Sequence, residues 1–151
     1  MTPAPALAPA RLTCAPTIRE TPKPAIRPLA TQTILIVEDY SDTRELLSTL
    51  LRRQNYNVIE AEDGLEGLLK ASAYCPDLIL MDLSLPEMDG VEAARRIHAQ
   101  PKLAHTPIFV VSAFLTEDVK ADVRSVGCVE VFPKPFDTFE LLEKVAAALN
   151  P

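Results

Sequence analysis

Four of the five apolar runs in this sequence stop at polar or charged side chains that could do chemistry together. In chain order these side chains are Glu38 and Asp39, then Asp82, then Ser112, then Lys134. Three carboxylates in one cleft repel one another and cannot all ionise cheaply unless a cation neutralises them. The residue types therefore predict a cation site built from carboxylate oxygens.

Magnesium is the cation that suits an open site of this kind. Mg²⁺ keeps several waters and accepts one or two carboxylates together with the oxygens of a substrate phosphate. A phosphate held in this way needs a further positive charge and a hydroxyl donor, which Lys134 and Ser112 would supply. The set predicts phosphoryl chemistry that depends on Mg²⁺.

Asp82 is the group expected to react. A carboxylate is a competent nucleophile toward phosphorus and gives an aspartyl phosphate. Because Glu38 and Asp39 would be occupied as metal ligands, Asp82, alone at the end of its strand, is the predicted acceptor. The plainer alternative is an aspartate that only caps a turn, and Asp82 taken alone does not exclude it.

Alternating strand and helix patterns would position these groups. Short apolar runs at 33–37, 58–59, 78–81, 107–111 and 129–132 are typical of buried strands. A helical pattern follows each of them, which predicts an α/β fold of the (βα)5 type. This fold is a doubly wound five-stranded parallel sheet with right-handed crossovers and helices on both faces. The carboxyl ends of its strands share one edge, where ligands bind in open sheets.

Local signals mark the helix boundaries and one corner. Three predicted helices begin with capping boxes, formed by Asp63 with Glu66, Asp89 with Glu92, and Asp137 with Glu140. The second helix carries Leu65, Leu68 and Leu69, which predict its buried stripe. The Lys134–Pro135 bond lies at a tight strand-to-helix corner and is a candidate cis peptide.

Composition limits the function classes. Hydrophobic residues make up 48% of the 151 residues, enough for a sizeable core, and the net charge of −6 argues against a DNA-binding body. No apolar run approaches the length of a membrane span. Cys14, Cys75 and Cys128 are an odd number without metal-like spacing, which favours free thiols in a reducing compartment and a cytoplasmic location.

Residues 1–31 differ from the rest of the chain. This Pro/Ala-rich segment holds seven of the 14 prolines and has a net charge of +3, which leaves −9 for residues 32–151. Such a segment cannot hold a helix and buries little, so we expect a disordered tail. A secretory signal is not expected, because prolines interrupt every apolar stretch. The tail is expected to be a solvated extension or, alternatively, a docking arm for an acidic partner or for its own acidic domain.

Four motifs in this order resemble the receiver domain of two-component response regulators over residues 32–151. They are Val37-Glu38-Asp39, Met81-Asp82 with Pro86 and Gly90, Val111-Ser112-Ala113, and Lys134-Pro135-Phe136-Asp137. Four spaced motifs are far more specific than any one of them. The resemblance implies the flavodoxin-like arrangement of the sheet and a signalling protein rather than an enzyme. No output module is visible after the fifth helix, which favours a stand-alone receiver.

The resemblance also implies a role for each site residue. Asp82 is then the phosphoacceptor. Asp39 binds Mg²⁺ directly, Glu38 supports the ion largely through water, and the Ser84 backbone carbonyl is a further metal ligand. Ser112 follows the phosphoryl group, and Lys134 pairs with it. The usual donor is a phosphohistidine on a sensor histidine kinase or a histidine phosphotransfer protein. His98 and His105 have no partners in a catalytic pattern and are expected at the surface.

One position departs from the family pattern. The family usually has Tyr or Phe three residues before the lysine, as a switch that turns inward on phosphorylation, and here this position is Val131. Phe132 stands next to it, but strand alternation points its side chain to the opposite face. The sequence therefore leaves two alternatives: a receiver without a working switch, or a switch that uses Ser112 and backbone motion without the ring.

Four functions remain open from the sequence. The leading one is a receiver that binds an unknown downstream protein when phosphorylated, with self-phosphorylation and slow dephosphorylation as its only chemistry. A phosphorelay intermediate is the first alternative, and Val131 mildly favours it. A phosphohydrolase would need a second acid two residues after the nucleophile, where this chain has Ser84. A module that has lost phosphorylation conflicts with the presence of all five site residues.

Overall fold

The structure, a computed structural model, describes residues 31–85 and 88–150. The predicted tail, apart from Thr31, lies outside the described residues, and so does Pro86 of the predicted loop after the third strand. The tail and the domain boundary at residue 32 therefore stay predictions.

Ten main elements alternate along the described chain. They are β1 (Thr33–Val37), α1 (Ser41–Arg53), β2 (Asn57–Ala61), α2 (Gly64–Tyr74), β3 (Leu78–Asp82), α3 (Gly90–His98), β4 (Ile108–Ser112), α4 (Glu117–Ser125), β5 (Glu130–Pro133) and α5 (Thr138–Leu149), with a 3-10 turn at Pro101–Leu103. The strands form one sheet in the order β2-β1-β3-β4-β5, and every pair is parallel. The predicted (βα)5 fold is confirmed.

The helices cover both faces of the sheet. On one face, α1 and α5 bury residues such as Leu51 and Leu141 against the sheet. On the other, α2, α3 and α4 pack over residues such as Ile79, Met81 and Val110. All five residues of β3 are buried. A strand buried on both faces has little freedom to shift, so its last residue, Asp82, stands on a rigid support.

Side-chain caps begin α2, α3 and α5 at the predicted positions. The Asp63 carboxylate accepts a hydrogen bond from the Glu66 amide at 2.7 Å. The Asp89 carboxylate accepts one from the Glu92 amide at 3.0 Å, and Asp137 caps α5 in the same way. These bonds satisfy backbone donors that have no partner inside the helix.

The buried face of α2 differs from the prediction. Leu65 and Leu69 are 46% and 61% exposed, and the buried residues are Gly64, Gly67 and Ala71. A Cβ atom at Gly67 would lie 2.8 Å from a methyl carbon of Val37. The helix therefore lies so close to the end of β1 that only a small residue fits at position 67. Leu65 and Leu69 face solvent, whereas Leu68 is half-buried and packs against the core.

The cysteines follow the prediction only in part. Cys128, between α4 and β5, is a free thiol and is buried. Burial raises its pKa to about 12. Cys75 at the end of α2 is disulfide-bonded, so the expectation of a free thiol is wrong for this residue.

Among the described residues, none of the helices combines the length and the apolar character that crossing a membrane requires.

Candidate functional site

The three predicted carboxylates meet at the carboxyl edge of the sheet. β1 and β3 are hydrogen-bonded neighbours with Val37 opposite Met81, so Glu38, directly after β1, lies beside Asp82, the last residue of β3. One oxygen from each of Glu38, Asp39 and Asp82 falls within a group in which all the atoms lie within 4.8 Å of one another. Glu38 and Asp82 are buried, at 2% and 5% exposure, whereas Asp39 is exposed. The cluster is therefore fixed on its inner side and open to solvent at Asp39.

Lys134 places a positive charge against two of these carboxylates. Its Nζ atom donates to Glu38 Oε1 at 2.9 Å and lies 3.5 Å from Asp82 Oδ2. Its backbone N–H donates to the Ser112 carbonyl oxygen at 2.9 Å, which fixes the end of β5 against β4. The Lys134–Pro135 peptide is cis, as the sequence suggested.

Glu38 is held at all its polar atoms. Its N–H donates to the Ala61 carbonyl at 3.0 Å, and its Oε2 accepts from the Tyr40 amide at 3.1 Å. Its backbone carbonyl accepts from Nη1 of Arg44 at 2.9 Å, while Oε1 receives Lys134. Sequence reasoning missed Arg44, because its partner at the site is a backbone atom.

Burial and the neighbouring charges shift the pKa values of Glu38 and Lys134. Burial raises the pKa of the Glu38 carboxyl and outweighs the opposing hydrogen bonds from Lys134 and Tyr40. Burial alone would lower the pKa of Lys134, but the hydrogen bond to Glu38 and the negative charges of Asp82 and Glu38 reverse this effect and raise it. Among the described residues, the Lys134 ammonium group contacts two carboxylates of a cluster of three, so the site favours a further cation.

Ser112 lies at the end of β4, buried and one residue beyond Val111, which pairs with Asp82. Its Oγ accepts a hydrogen bond from the Phe114 amide at 3.2 Å. Ser112, Ser84 and Phe114 line an open groove of about 370 Å³ between α3 and α4. The predicted hydroxyl therefore borders this groove, whose lining does not include Glu38, Asp39, Asp82 or Lys134.

The loop after β3 is shaped by backbone contacts. The Ser84 amide donates to Asp82 Oδ1 at 3.3 Å, and the Gly90 amide donates to the Leu83 carbonyl at 3.0 Å. A Cβ atom at Gly90 would collide with the Asp82 carbonyl oxygen, so only glycine fits there. The role of the Ser84 carbonyl as a metal ligand stays a prediction.

Val131 and Phe132 point to opposite faces of the sheet, as strand alternation predicts. Phe132 is buried and packs against Phe109 with ring centroids 5.7 Å apart. Val131 is half-buried on the opposite face, against the cluster of residues under α3 and α4. Phe114 is 73% exposed and does not cover the acidic cluster.

The fold and the site together define a flavodoxin-like α/β protein with an acidic, lysine-bridged cleft at the carboxyl edge of its sheet. A family model described as the response regulator receiver domain matches residues 34–146. The chain belongs to this family.

Curated and structural relatives agree with this assignment. The chain is 33% identical to the polar-differentiation response regulator DivK of Brucella ovis over 120 residues, which cover 80% of this chain and 98% of DivK. The chemotaxis protein CheY4 of Vibrio cholerae superposes with a TM-score of 0.76 at 30% identity, over 80% of this chain and all of that one. A receiver domain of a sensor histidine kinase from Pseudomonas aeruginosa superposes with a TM-score of 0.75 at 30% identity, over 81% of this chain and all of that one. That structure contains a magnesium ion coordinated in the active-site cleft.

Proposed function

We propose that this chain is a stand-alone response regulator that accepts a phosphoryl group on Asp82 and signals by binding a downstream protein in the phosphorylated state. The observation that carries the proposal is the lysine bridge, with Nζ of Lys134 at 2.9 Å from Glu38 and 3.5 Å from Asp82 beside Asp39. DivK, whose length the match spans almost completely, supports the stand-alone form.

The residues divide the work of the transfer. An Asp82 carboxylate oxygen forms the new bond to phosphorus while the bond from phosphorus to the donor's leaving group breaks, and the leaving group departs with the bonding electrons. Lys134 would balance charge on the phosphoryl oxygens, and the Ser112 hydroxyl would donate to one of them. For a histidine kinase or a phosphotransfer protein, the leaving group is a histidine imidazole.

Magnesium is the proposed metal, and the donor set fits it. Carboxylate oxygens of Glu38, Asp39 and Asp82 lie within one small cluster, of which Asp39 faces solvent. When bound, Mg²⁺ would neutralise the cluster and the incoming phosphoryl oxygens. Asp39 and Asp82 are the proposed direct ligands, with the Ser84 carbonyl as a third and Glu38 acting largely through water.

The family and the net charge support a compartment, a phosphoryl donor and a class of partner for this chain. We place the exchange in the cytoplasm, with a sensor histidine kinase or a histidine phosphotransfer protein as donor. The net charge of −6 supports a protein partner rather than direct contact with DNA. Self-phosphorylation and slow loss of the phosphoryl group are the only chemistry that we assign.

A small acyl phosphate and Mg²⁺ test the proposal. We expect one acid-stable, base-labile phosphoryl group per chain, measured by intact mass, and none without the metal. Asp82→Asn should abolish labelling, whereas Asp77→Asn, at the opposite end of β3, should label normally. Labelling of Asp82→Asn at the wild-type level would show that the acceptor is another residue.

A phosphorelay intermediate is the second candidate, and the side chains of β5 favour it. Val131 has no ring to move, and Phe132 is fixed in the core against Phe109. A relay intermediate needs no large conformational output, only transfer to a second histidine. Rapid transfer of label from the phosphorylated chain to a histidine phosphotransfer protein, with little change in amide chemical shifts on phosphorylation, would support the relay over the switch.

A further inference from the structure

Arg44, near the start of α1, joins the site to the neighbouring strand through all three of its guanidinium nitrogens. Nη1 donates to the Glu38 carbonyl oxygen at 2.9 Å, and Nε donates to Glu60 Oε1 on β2 at 3.2 Å. Nη2 lies 3.7 Å from Glu62 Oε2. The Arg44 side chain is only 14% exposed. A largely buried, planar fork with charged partners has little freedom, so its contact to Glu38 is pre-organised.

The accepted carbonyl belongs to the peptide that leads into Asp39. The backbone N–H of Glu38 donates a hydrogen bond to the Ala61 carbonyl at 3.0 Å, which fixes the preceding peptide as well. The Tyr40 amide, one residue after Asp39, donates a hydrogen bond to Glu38 Oε2 at 3.1 Å. Rotation of the peptide between Glu38 and Asp39 would break the bond to Arg44 and turn the exposed Asp39 carboxylate away from the cluster.

We propose that Arg44 is a positioning residue for the metal site: by holding the Glu38 carbonyl, it sets the direction of the Asp39 carboxylate. Glu60 orients Arg44 in turn. The inference deepens the proposed function, because it rests on Mg²⁺ as the ion that Asp39 binds. Residues that orient metal ligands commonly change metal affinity by about 10–100-fold when they are removed.

The charge of Arg44 predicts an effect of the opposite sign, which makes the inference testable. A guanidinium cation beside the carboxylate cluster repels a second cation. If Arg44 acted only through its charge, Arg44→Gln would tighten Mg²⁺ binding. If it acts by positioning, Arg44→Gln weakens binding, and Arg44→Lys, which keeps the charge and loses the planar fork, weakens it as well.

Arg52 provides the matched control. It lies on the same helix, and its Nη2 atom lies 3.6 Å from the same Glu60 carboxylate. Its backbone partner is the Val58 carbonyl rather than that of Glu38. Arg52→Gln therefore removes the same kind of charge from the same ion-pair group while the Glu38 carbonyl keeps its donor.

Two measurements on the purified full chain decide the matter. The first is the Kd for Mg²⁺ by calorimetric titration. We expect about tenfold weaker binding in Arg44→Gln and Arg44→Lys, and a change of less than about twofold in Arg52→Gln. The second is amide hydrogen exchange without metal. Here the Glu38 and Tyr40 amides should exchange faster in Arg44→Gln, while amides of the central strand β3 keep their protection.

Each outcome has a definite meaning. Tighter or unchanged Mg²⁺ binding in Arg44→Gln would overturn the inference, and so would wild-type exchange at Glu38 and Tyr40. An equal loss in Arg52→Gln would also overturn it, because the effect would then belong to the ion-pair group as a whole. If the wild-type chain bound no Mg²⁺, the proposed function would fail instead, and the metal-free exchange would still decide whether Arg44 fixes the loop.

Discussion

Replacing Lys134 by methionine tests how much the lysine bridge contributes to folding. The change removes the ammonium group that lies 2.9 Å from Glu38 and 3.5 Å from Asp82 and keeps the apolar stem. At an effective dielectric constant of about 20, each contact is worth about 5 kcal/mol before desolvation. Desolvation offsets much of this, and water reaches the lysine, whose side chain is 24% exposed. We expect a loss of about 3 kcal/mol in the free energy of unfolding at neutral pH, the lower end for a broken buried ion pair.

The loss in Lys134→Met should depend on pH. Burial already raises the pKa of Glu38, and without the lysine this pKa should rise further. The folded variant then binds more protons than the unfolded chain between the unfolded and folded pKa values of this carboxyl. Its stability therefore increases as the pH falls through the folded pKa. The deficit against wild type should be largest near neutral pH and shrink as the pH falls to about 5.

Urea unfolding of three proteins at the two pH values provides the measurement. Lys144→Met is the control, because Lys144 pairs with Glu130 at 3.4 Å with its side chain 43% exposed. Exposed pairs of this kind contribute less than about 1 kcal/mol. If Lys134→Met lost no more than this control, or lost the same amount at both pH values, the electrostatic account of the cluster would be wrong.

Two further substitutions give independent readouts. Ser48 on α1 is buried, and among the described residues its Oγ has no hydrogen-bond partner. Ser48→Ala should therefore raise the free energy of unfolding by about 1 kcal/mol. A lower free energy of unfolding, measured with urea, would show that the hydroxyl does have a partner. Phe114 borders the groove beside Ser112 and offers no hydrogen bond to water, so Phe114→Glu should speed decay of the phosphorylated protein by up to about 10²-fold by orienting the attacking water. Decay of labelled protein after removal of the donor measures this effect, and an unchanged lifetime would show that a carboxylate at position 114 does not orient the attacking water.

The strands and the polar residues at their carboxyl ends were predictable, because one sequence signal indicates both. A short apolar run that stops at Asp82 indicates a buried strand and also a polar group at its carboxyl end. Parallel pairing then brings Asp82 beside Glu38 whatever the connecting helices look like in detail. The capping residues Asp63 and Asp89 were also predictable, because a cap acts only on its own helix.

The face that α2 buries was not predictable from its leucines. Amphipathic patterns assume that large apolar residues face the core, but Gly67 allows the helix to approach Val37 of β1, and Gly64 allows it to approach the Met88 backbone, more closely than a leucine would. The two glycines three residues apart were the available signal. They indicate close packing only when their partners, Met88 and Val37, are known, and that is tertiary information.

Side-chain contacts to backbone carbonyls were also not predictable from the sequence. Arg44 is one of several basic residues on α1, and nothing in its neighbours indicates that it binds the Glu38 carbonyl. His98 was expected at the surface, but it is half-buried, and its ring nitrogens lie 2.8 Å from the carbonyl oxygens of Val126 and Thr106. A carbonyl is present at every residue, so its use as a partner leaves no pattern in the sequence.

The buried thiol of Cys128 makes the joint between α4 and β5 a place where opening of the native protein can be timed. A thiol reacts with alkylating agents as the thiolate, and a pKa of about 12 leaves almost none of this form in the closed structure. Modification at Cys128 must therefore wait for the helix and the strand to separate. The rate at which its peptide gains mass in the presence of an alkylating agent then reports the frequency of that separation. Compared with and without a phosphoryl group on the chain, this rate would show whether the modification loosens or tightens the side of the sheet that carries Lys134.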